Sequence, residues 1–397
     1  MKAEAMSFTF LGYEGAVKIP FFQRGYVWDK SNWEDILNDL LDSSRSHFLG
    51  SLILKQQVRQ SGKPKEVLVI DGQQRLTTLS VLLRALYDTF DGEIKTNCEA
   101  SIKNYLYYKK NQTDSDLHIK IEHSHIDANY YSKVIRDELT QVEFDKIIIG
   151  DDSNKTISKD NKILQCYKYF IEQLKTKDSQ TRQGLFNRLL DTENKILVLI
   201  DLTDKEDEQA IFDTINSAGV RLSAADIVKN SLFQKAIELF DLQANVLTLY
   251  RINWEEIFTK DDDTVAFWDT PRSTGRLMRD NIEILLHSIS VIKGFFDPDK
   301  HTLSDLSVLY KQYISLLKKS QLKTFIEEIA KYARLYREKI LVFDQSTLFS
   351  FTDDIQKLFH ILNVCEISTF HPYILSLFFK YEHDDRKSGL SDHIWPV

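Results

Sequence analysis

The stretch VIDGQQRLTTLSVLLRAL (69–86) constrains this chain most, because an apolar run, an acid, a glycine, two amides and an arginine stand directly before a helical pattern. From Leu76 onward Leu79, Leu82, Leu83 and Leu86 recur at the spacing of one helix face, so the segment reads as strand, tight turn and a helix starting at about Arg75 or Leu76. Gly72 takes backbone angles other residues avoid and lets a ligand approach the main chain. The first helical turn offers backbone N–H groups without intrahelical partners, at the positive end of the helix dipole, and so favours an anion such as phosphate. Arg75 adds a fork of donors, and Thr77 and Thr78 add hydroxyls. Asp71 stands where a carboxylate can hold Mg²⁺ beside phosphates or position an attacking water. A plainer reading, with Asp71 capping the helix and Arg75 in a salt bridge, explains the same residues, since short motifs match by chance.

The surrounding chain switches period as a mixed α and β region does. Ser31 to Glu34 form a capping-box pattern ahead of Trp33, Ile36, Leu37, Leu40 and Leu41 at helical spacing. FLGSLILKQ (48–56) and EVLVIDG (66–72) flank RQSGKPK, whose Gly, Pro and basic residues suit the turn of a hairpin. KILVLIDL (195–202) reads as a further buried strand, followed by a helix through EDEQAIFDTIN and a turn at SAGVRL. Ser223 to Asp226 then cap another helix. Residues 91–190, with polar stretches such as KKNQTDSD and GDDSNKTISKDNK, read as a helical insertion. The expected organisation is a mixed domain over 1–240 and an all-helical domain over 241–397, an α+β chain overall.

Two further segments carry candidate ligand groups. KIPFFQRGYVW (18–28) interleaves Gln23 and Arg24 with Phe21, Phe22, Tyr26 and Trp28, a mixture that stacks on a base and binds its phosphates. Taken alone, packing of Trp28 and Phe22 with Arg24 as a surface ion is the commoner outcome. FDTINSAGVRLSAADIVKN (212–230) joins Asn216, Gly219 and Arg221 to the helix carrying Asp226, Lys229 and Asn230, though an ordinary turn and cap explain much of it. His118, His123, His125 and Asp127 lie close in sequence, yet a solvated strand or loop is the better account than a metal site. The aromatic and cationic run from Asn104 to Lys110 reads as a helix surface with aromatic packing.

In order and wording, the segments at 19–28, 48–54, 70–79 and 212–230 resemble the hallmarks IPxFQRxYxW, FLGSxxL, IDGQQRxTTL and FxxxNxxGxxLxxxDxxKN of the N-terminal domain of GmrSD-type modification-dependent restriction enzymes. The resemblance covers about residues 8–235. It implies a ParB/sulfiredoxin-like mixed core that binds and hydrolyses a nucleoside triphosphate with Mg²⁺ in bacterial defence against phage DNA, including modified DNA. By that resemblance Asp71, Gln74 and Arg75 carry the chemistry, with Asp71 on the metal. By the same resemblance Gly72 and Gln73 line the nucleotide site, with Gln23 and Arg24 across from them and Asn216 and Gly219 closing it, while the residues themselves add Thr77 and Thr78 as hydroxyl contacts and Tyr26 or Trp28 as the base contact. An HNH-type nuclease domain or subunit is the expected partner. His371, His383 and His393 lie apart and form no such set in sequence.

Composition narrows the alternatives. A net charge of -8 argues against a surface that coats nucleic acid indiscriminately. Cys98, Cys166 and Cys365 are far apart, without CxxC spacing, as expected for a reducing cytoplasm. No apolar run approaches the roughly 20 residues a membrane span needs, so a soluble protein is expected, with self-association left open. Two other functions stay open: a module that senses nucleotide or modified DNA without turnover, and a ParB-like nuclease in its own right.

Overall fold

The computed structural model describes residues 2–42, 48–57, 64–111, 113–123, 125–150, 161–202, 223–240, 243–274, 277–341, 348, 350, 352–365 and 367–381. The chain divides into two compact units, Met1–Arg221 and Leu222–Val397.

The first unit is built on a six-stranded mixed sheet: β1 (Lys2–Met6), β2 (Ala16–Lys18), β3 (Ser51–Gln56), β4 (Glu66–Asp71), β7 (Ile121–Glu122) and β8 (Leu197–Leu202). A separate two-residue pair, β5 (Tyr107–Tyr108) and β6 (His118–Ile119), stands apart from it. The sheet order is β1-β8-β3-β4-β2-β7. The hairpin expected around RQSGKPK is present as antiparallel β3 and β4, with a register shift between Ile53 and Leu54. On its other side β4 runs parallel to β2, and β2 runs parallel to β7. The carboxyl ends of β2, β4 and β7 therefore lie on one side of the sheet, where β3 begins. Ligands gather outside the carboxyl ends of strands in sheets with parallel strands.

Helices follow those strands. The helix α1 (Lys30–Leu41) buries Trp33, Ile36, Leu37 and Leu40 as its spacing predicts. Its cap is Asp29, whose carboxylate accepts from Ser31 N while Asn32 answers the Asp29 N–H. The Ser31 to Glu34 box is thus corrected: the helix already begins at Lys30, with Asp29 as its cap and Asn32 as the answering residue. Helix α2 (Gln73–Asp88) starts two residues before the expected Arg75 and is buried nearly all round, with thirteen of its sixteen residues buried.

The segment expected as an insertion contains α3 (Gly92–Leu106), α4 (His125–Ile135), α5 (Gln141–Lys146), α6 (Lys162–Lys175) and α7 (Ser179–Leu189). It shares the principal core: Ile102, Leu106, Ile121, Tyr131, Ile163 and Phe170 pack in one cluster with Leu76, Leu79, Leu82 and Leu83. A buried ion cluster fixes it there. The Arg84 guanidinium reaches Asp88 at 2.7 Å and Asp137 at 3.1 Å, and the Tyr167 hydroxyl donates to Asp88 at 2.9 Å.

The second unit contains α8 (Ala224–Leu239), which the sequence reading groups with the first domain. Ser223 caps it through the Asp226 N–H, as expected. The main helices after it are α9 (Gln243–Tyr250), α10 (Glu256–Phe258), α11 (Asp262–Trp268), α12 (Asn281–Ile292), α13 (Leu306–Leu316), α14 (Lys319–Leu335), α15 (Asp354–Val364) and α16 (His371–Tyr381). The expectation of an all-α region is corrected by an antiparallel ribbon, β9 (Pro271–Thr274) with β10 (Leu277–Asp280). Rings of Phe233, Tyr250, Trp254, Phe258 and Trp268 pack edge to face or tilted through the core. Among the described residues no helix is long and apolar enough to cross a membrane.

Candidate functional site: the turn between β4 and α2

Asp71 ends β4 and Gly72 caps α2 with φ +92°, a left-handed conformation that favours glycine. A Cβ there would stand 2.3 Å from Leu52 Cδ2 and 2.9 Å from Ser51 O. The turn is pressed against the start of β3, so only glycine fits. Burial pushes the Asp71 carboxyl above its usual range, and Arg75, the Gly72 amide and Arg24 draw it partly back. Arg75 Nη1 lies 3.8 Å from the Asp71 carboxylate and donates to Ser51 O at 2.9 Å. Its guanidinium lies against Gly50, where a Cβ would come within 2.3 Å of Nε. The FLGS segment is thereby the seat of Arg75, a role the sequence reading missed although the glycine ahead of a strand was its signal.

The loop after β2 reaches this turn because β2 and β4 run in parallel. Three glutamine amides join the two. Gln23 Nε2 donates to Val69 O at 2.7 Å and Gln73 Nε2 to Arg24 O at 2.6 Å. Gln74 uses both ends, donating to Gly25 O at 3.1 Å and accepting from Val27 N at 2.9 Å and Trp28 N at 3.3 Å. These contacts explain why the helix starts early: Gln73 and Gln74 are polar yet buried, because the loop satisfies them. Gln73 Oε1 is the exception, a buried acceptor with no partner among the described residues.

Tyr26 is 6% exposed, and its hydroxyl meets Thr78 Oγ1 at 2.5 Å and the Trp33 indole N–H at 2.9 Å. Thr77 and Thr78 are buried and donate back to the carbonyls of Gln73 and Gln74. The polar groups of these three residues face protein, in packing and helix-start hydrogen bonds. Trp28 is half-buried and packs against the core. Asn216 and Gly219 lie outside the described residues.

The histidine segment is dispersed rather than solvated. His118 pairs with Asp114 at 3.0 Å, and His123 Nε2 meets Thr77 Oγ1 at 3.1 Å beside the Tyr131 ring. Burial holds His123 at a pKa of about 3, so it is neutral. Asp127 is 3% exposed and accepts from Tyr26 N at 2.6 Å. Among the described residues no group of three or more His, Cys, Asp or Glu is placed to hold a metal by itself. His371 is buried against Tyr336 at 2.8 Å, and His383 and His393 lie outside the described residues.

The turn thus brings the Arg75 guanidinium, the Asp71 carboxylate and a helix N-terminus together at the carboxyl end of β4, with the Arg24 charge felt at Asp71. Such a set binds an anion with several oxygens and leaves a carboxylate beside it. The model of the N-terminal domain of the GmrSD restriction endonuclease matches residues 8–233. The chain belongs to that family and so carries a module related to restriction and defence. It is also similar to an uncharacterized protein, MJ0686, of Methanocaldococcus jannaschii, at 25% identity over 261 residues. That alignment covers 57% of this chain and spans 40% of the relative's length.

Proposed function

We propose that this chain binds a nucleoside triphosphate at the N-terminus of α2, hydrolyses it with Mg²⁺, and couples nucleotide state to cleavage of phage or modified DNA by a fused or partner nuclease. A ParB/sulfiredoxin-like core in a cytoplasmic protein is part of this reading. The observation that carries it is Arg75 at 3.8 Å from Asp71 beside the N-terminus of α2, with the Arg24 main chain held to the same turn by Gln73. Arg75 and the helix N-terminus would take phosphate oxygens. Asp71 fits an Mg²⁺ that keeps phosphate oxygens and waters as its other ligands, the ordinary arrangement for that ion. Its elevated pKa suits a group that also orients or deprotonates a water. Gln73 Oε1 offers an acceptor to a donor on the ligand.

The test is hydrolysis of ATP, GTP, CTP and UTP by the purified chain with Mg²⁺. Asp71→Ala and Arg75→Ala are expected to lower kcat/KM by about a hundredfold, the usual loss for one charged transition-state contact. Unchanged turnover in both variants would remove these residues from the chemistry. Nucleotide binding without product release would make the chain a sensor, and plasmid cleavage with Mg²⁺ or Mn²⁺ would make the core itself a nuclease.

A further inference from the structure

Between Arg24 and Trp28 the main chain is met by side chains. Gln73 and Gln74, both in the first turn of α2, take Arg24 O, Gly25 O, Val27 N and Trp28 N. Tyr26 N goes elsewhere, donating at 2.6 Å to Asp127 Oδ2, 101 positions away in the first turn of α4. The other oxygen of Asp127 accepts from Asn161 Nδ2 at 3.1 Å. Asn161 in turn caps α6, its Oδ1 accepting from Ile163 N at 2.8 Å. Asp127 is thus a bridge: loop backbone on one oxygen, the start of α6 on the other. A buried carboxylate is costly unless its hydrogen bonds are well made, and this one is 3% exposed. Packing alone would favour an apolar side chain at this position.

We propose that Asp127 is a positioning residue for the site at α2: by taking the Tyr26 N–H it fixes the arm that brings Arg24 beside Asp71, and Asn161 fixes Asp127. The proposal rests on the phosphate-binding reading above. It assigns to Asp127 a task that its nearness to three histidines in sequence conceals, and it makes the 91–190 segment part of the site's framework.

The hydrogen-bond pattern supplies a rescue experiment. Asp127→Ala removes the acceptor. Asp127→Asn keeps one acceptor but turns an amide donor toward the donor of Asn161. Combining Asp127→Asn with Asn161→Asp restores every bond with the carboxylate moved across the pair, and Asp caps a helix as well as Asn does. The readouts are the dissociation constant for Mg²⁺-tripolyphosphate and the exchange rates of the Tyr26, Val27 and Trp28 amides. For Asp127→Ala we expect affinity to fall about tenfold and Tyr26 exchange to accelerate at least about tenfold, as for loss of a hydrogen bond to a charged group. The exchanged pair should return both to within about threefold of wild type. A residue serving stability alone would lower the melting temperature and leave the affinity of the folded protein unchanged.

Wild-type affinity in folded Asp127→Ala overturns the proposal, as does a folded exchanged pair that stays as weak as the alanine variant. Should Asp127→Ala fail to fold, Asp127→Asn and the exchanged pair carry the same comparison. If the wild-type chain binds neither tripolyphosphate nor any nucleotide, the phosphate reading falls. Tyr26 exchange then decides separately whether Asp127 holds the arm, and unchanged exchange refutes it.

Discussion

An Asp and an Arg stand four residues apart, in opposite order, at each end of α2, and the two pairs are put to opposite uses. At the C-terminal end Arg84 and Asp88 are 2.7 Å apart, 7% and 9% exposed, and also met by Asp137, Tyr167 and Ile135 O. At the N-terminal end Asp71 and Arg75 are 3.8 Å apart and each 21% exposed. Asp88 also sits at the end of the helix dipole that disfavours an anion, so it depends on Arg84, whereas Asp71 sits where a negative charge is welcome. Identical residues at identical spacing thus give a structural staple and a candidate ligand site. Burial and the number of protein partners separate them.

The contrast can be broken from either side. Removing Arg84 should have the largest effect: Arg84→Met leaves the buried Asp88 carboxylate without its cation and should cost about 3–5 kcal/mol in urea unfolding. Arg75→Met should cost under about 1 kcal/mol, because its pair is loose and partly exposed, while nucleotide turnover collapses. Equal losses at the two arginines would erase the distinction.

Next in size is the backbone at the turn. Gly72→Ala forces a Cβ against Leu52 and Ser51 in a left-handed conformation and should cost about 1–3 kcal/mol. Gly50→Ala meets the Arg75 guanidinium instead. It should lower nucleotide affinity by about tenfold beyond what its loss of stability explains.

The smallest effect concerns pH. Burial raises the folded-state pKa of Asp71, so the folded protein holds that proton more tightly than the unfolded chain. The associated stability is full below the unfolded value, near 3.8, and is lost as pH rises through the higher folded value. Asp71→Asn escapes that loss. It should be at least as stable as wild type at pH 7, with the advantage vanishing as the pH falls below about 3.8, and inactive throughout. Asp88 has a raised pKa too, yet Asp88→Asn should destabilise, because it weakens the bond to Arg84. Urea midpoints across pH would show whether the two acids part in this way.

The strand, turn and helix of the site were legible because their signals are local: a period, a glycine, a cap. The β3–β4 hairpin and β8 were visible for the same reason. The start of α2 was misplaced by two residues because Gln73 and Gln74 look like surface amides until the loop 49 residues earlier is brought against them. Asp127 suggested metal chemistry through its histidine neighbours, whereas its partners are Tyr26 and Asn161. Two-residue β7 carries no periodicity at all, and its place in the sheet depends on pairing with β2. Polar groups buried by distant partners leave no trace in spacing, and they make most of this site's framework.

The amide-held loop has a consequence for diversification. Strands paired through their main chains resist change, since an altered register displaces every residue that follows. The loop at 23–28 is instead moored by exchangeable side chains on a rigid sheet and helix. A single substitution at Gln23, Gln73 or Gln74 can therefore alter the reach of this arm while the sheet register beneath it stays intact.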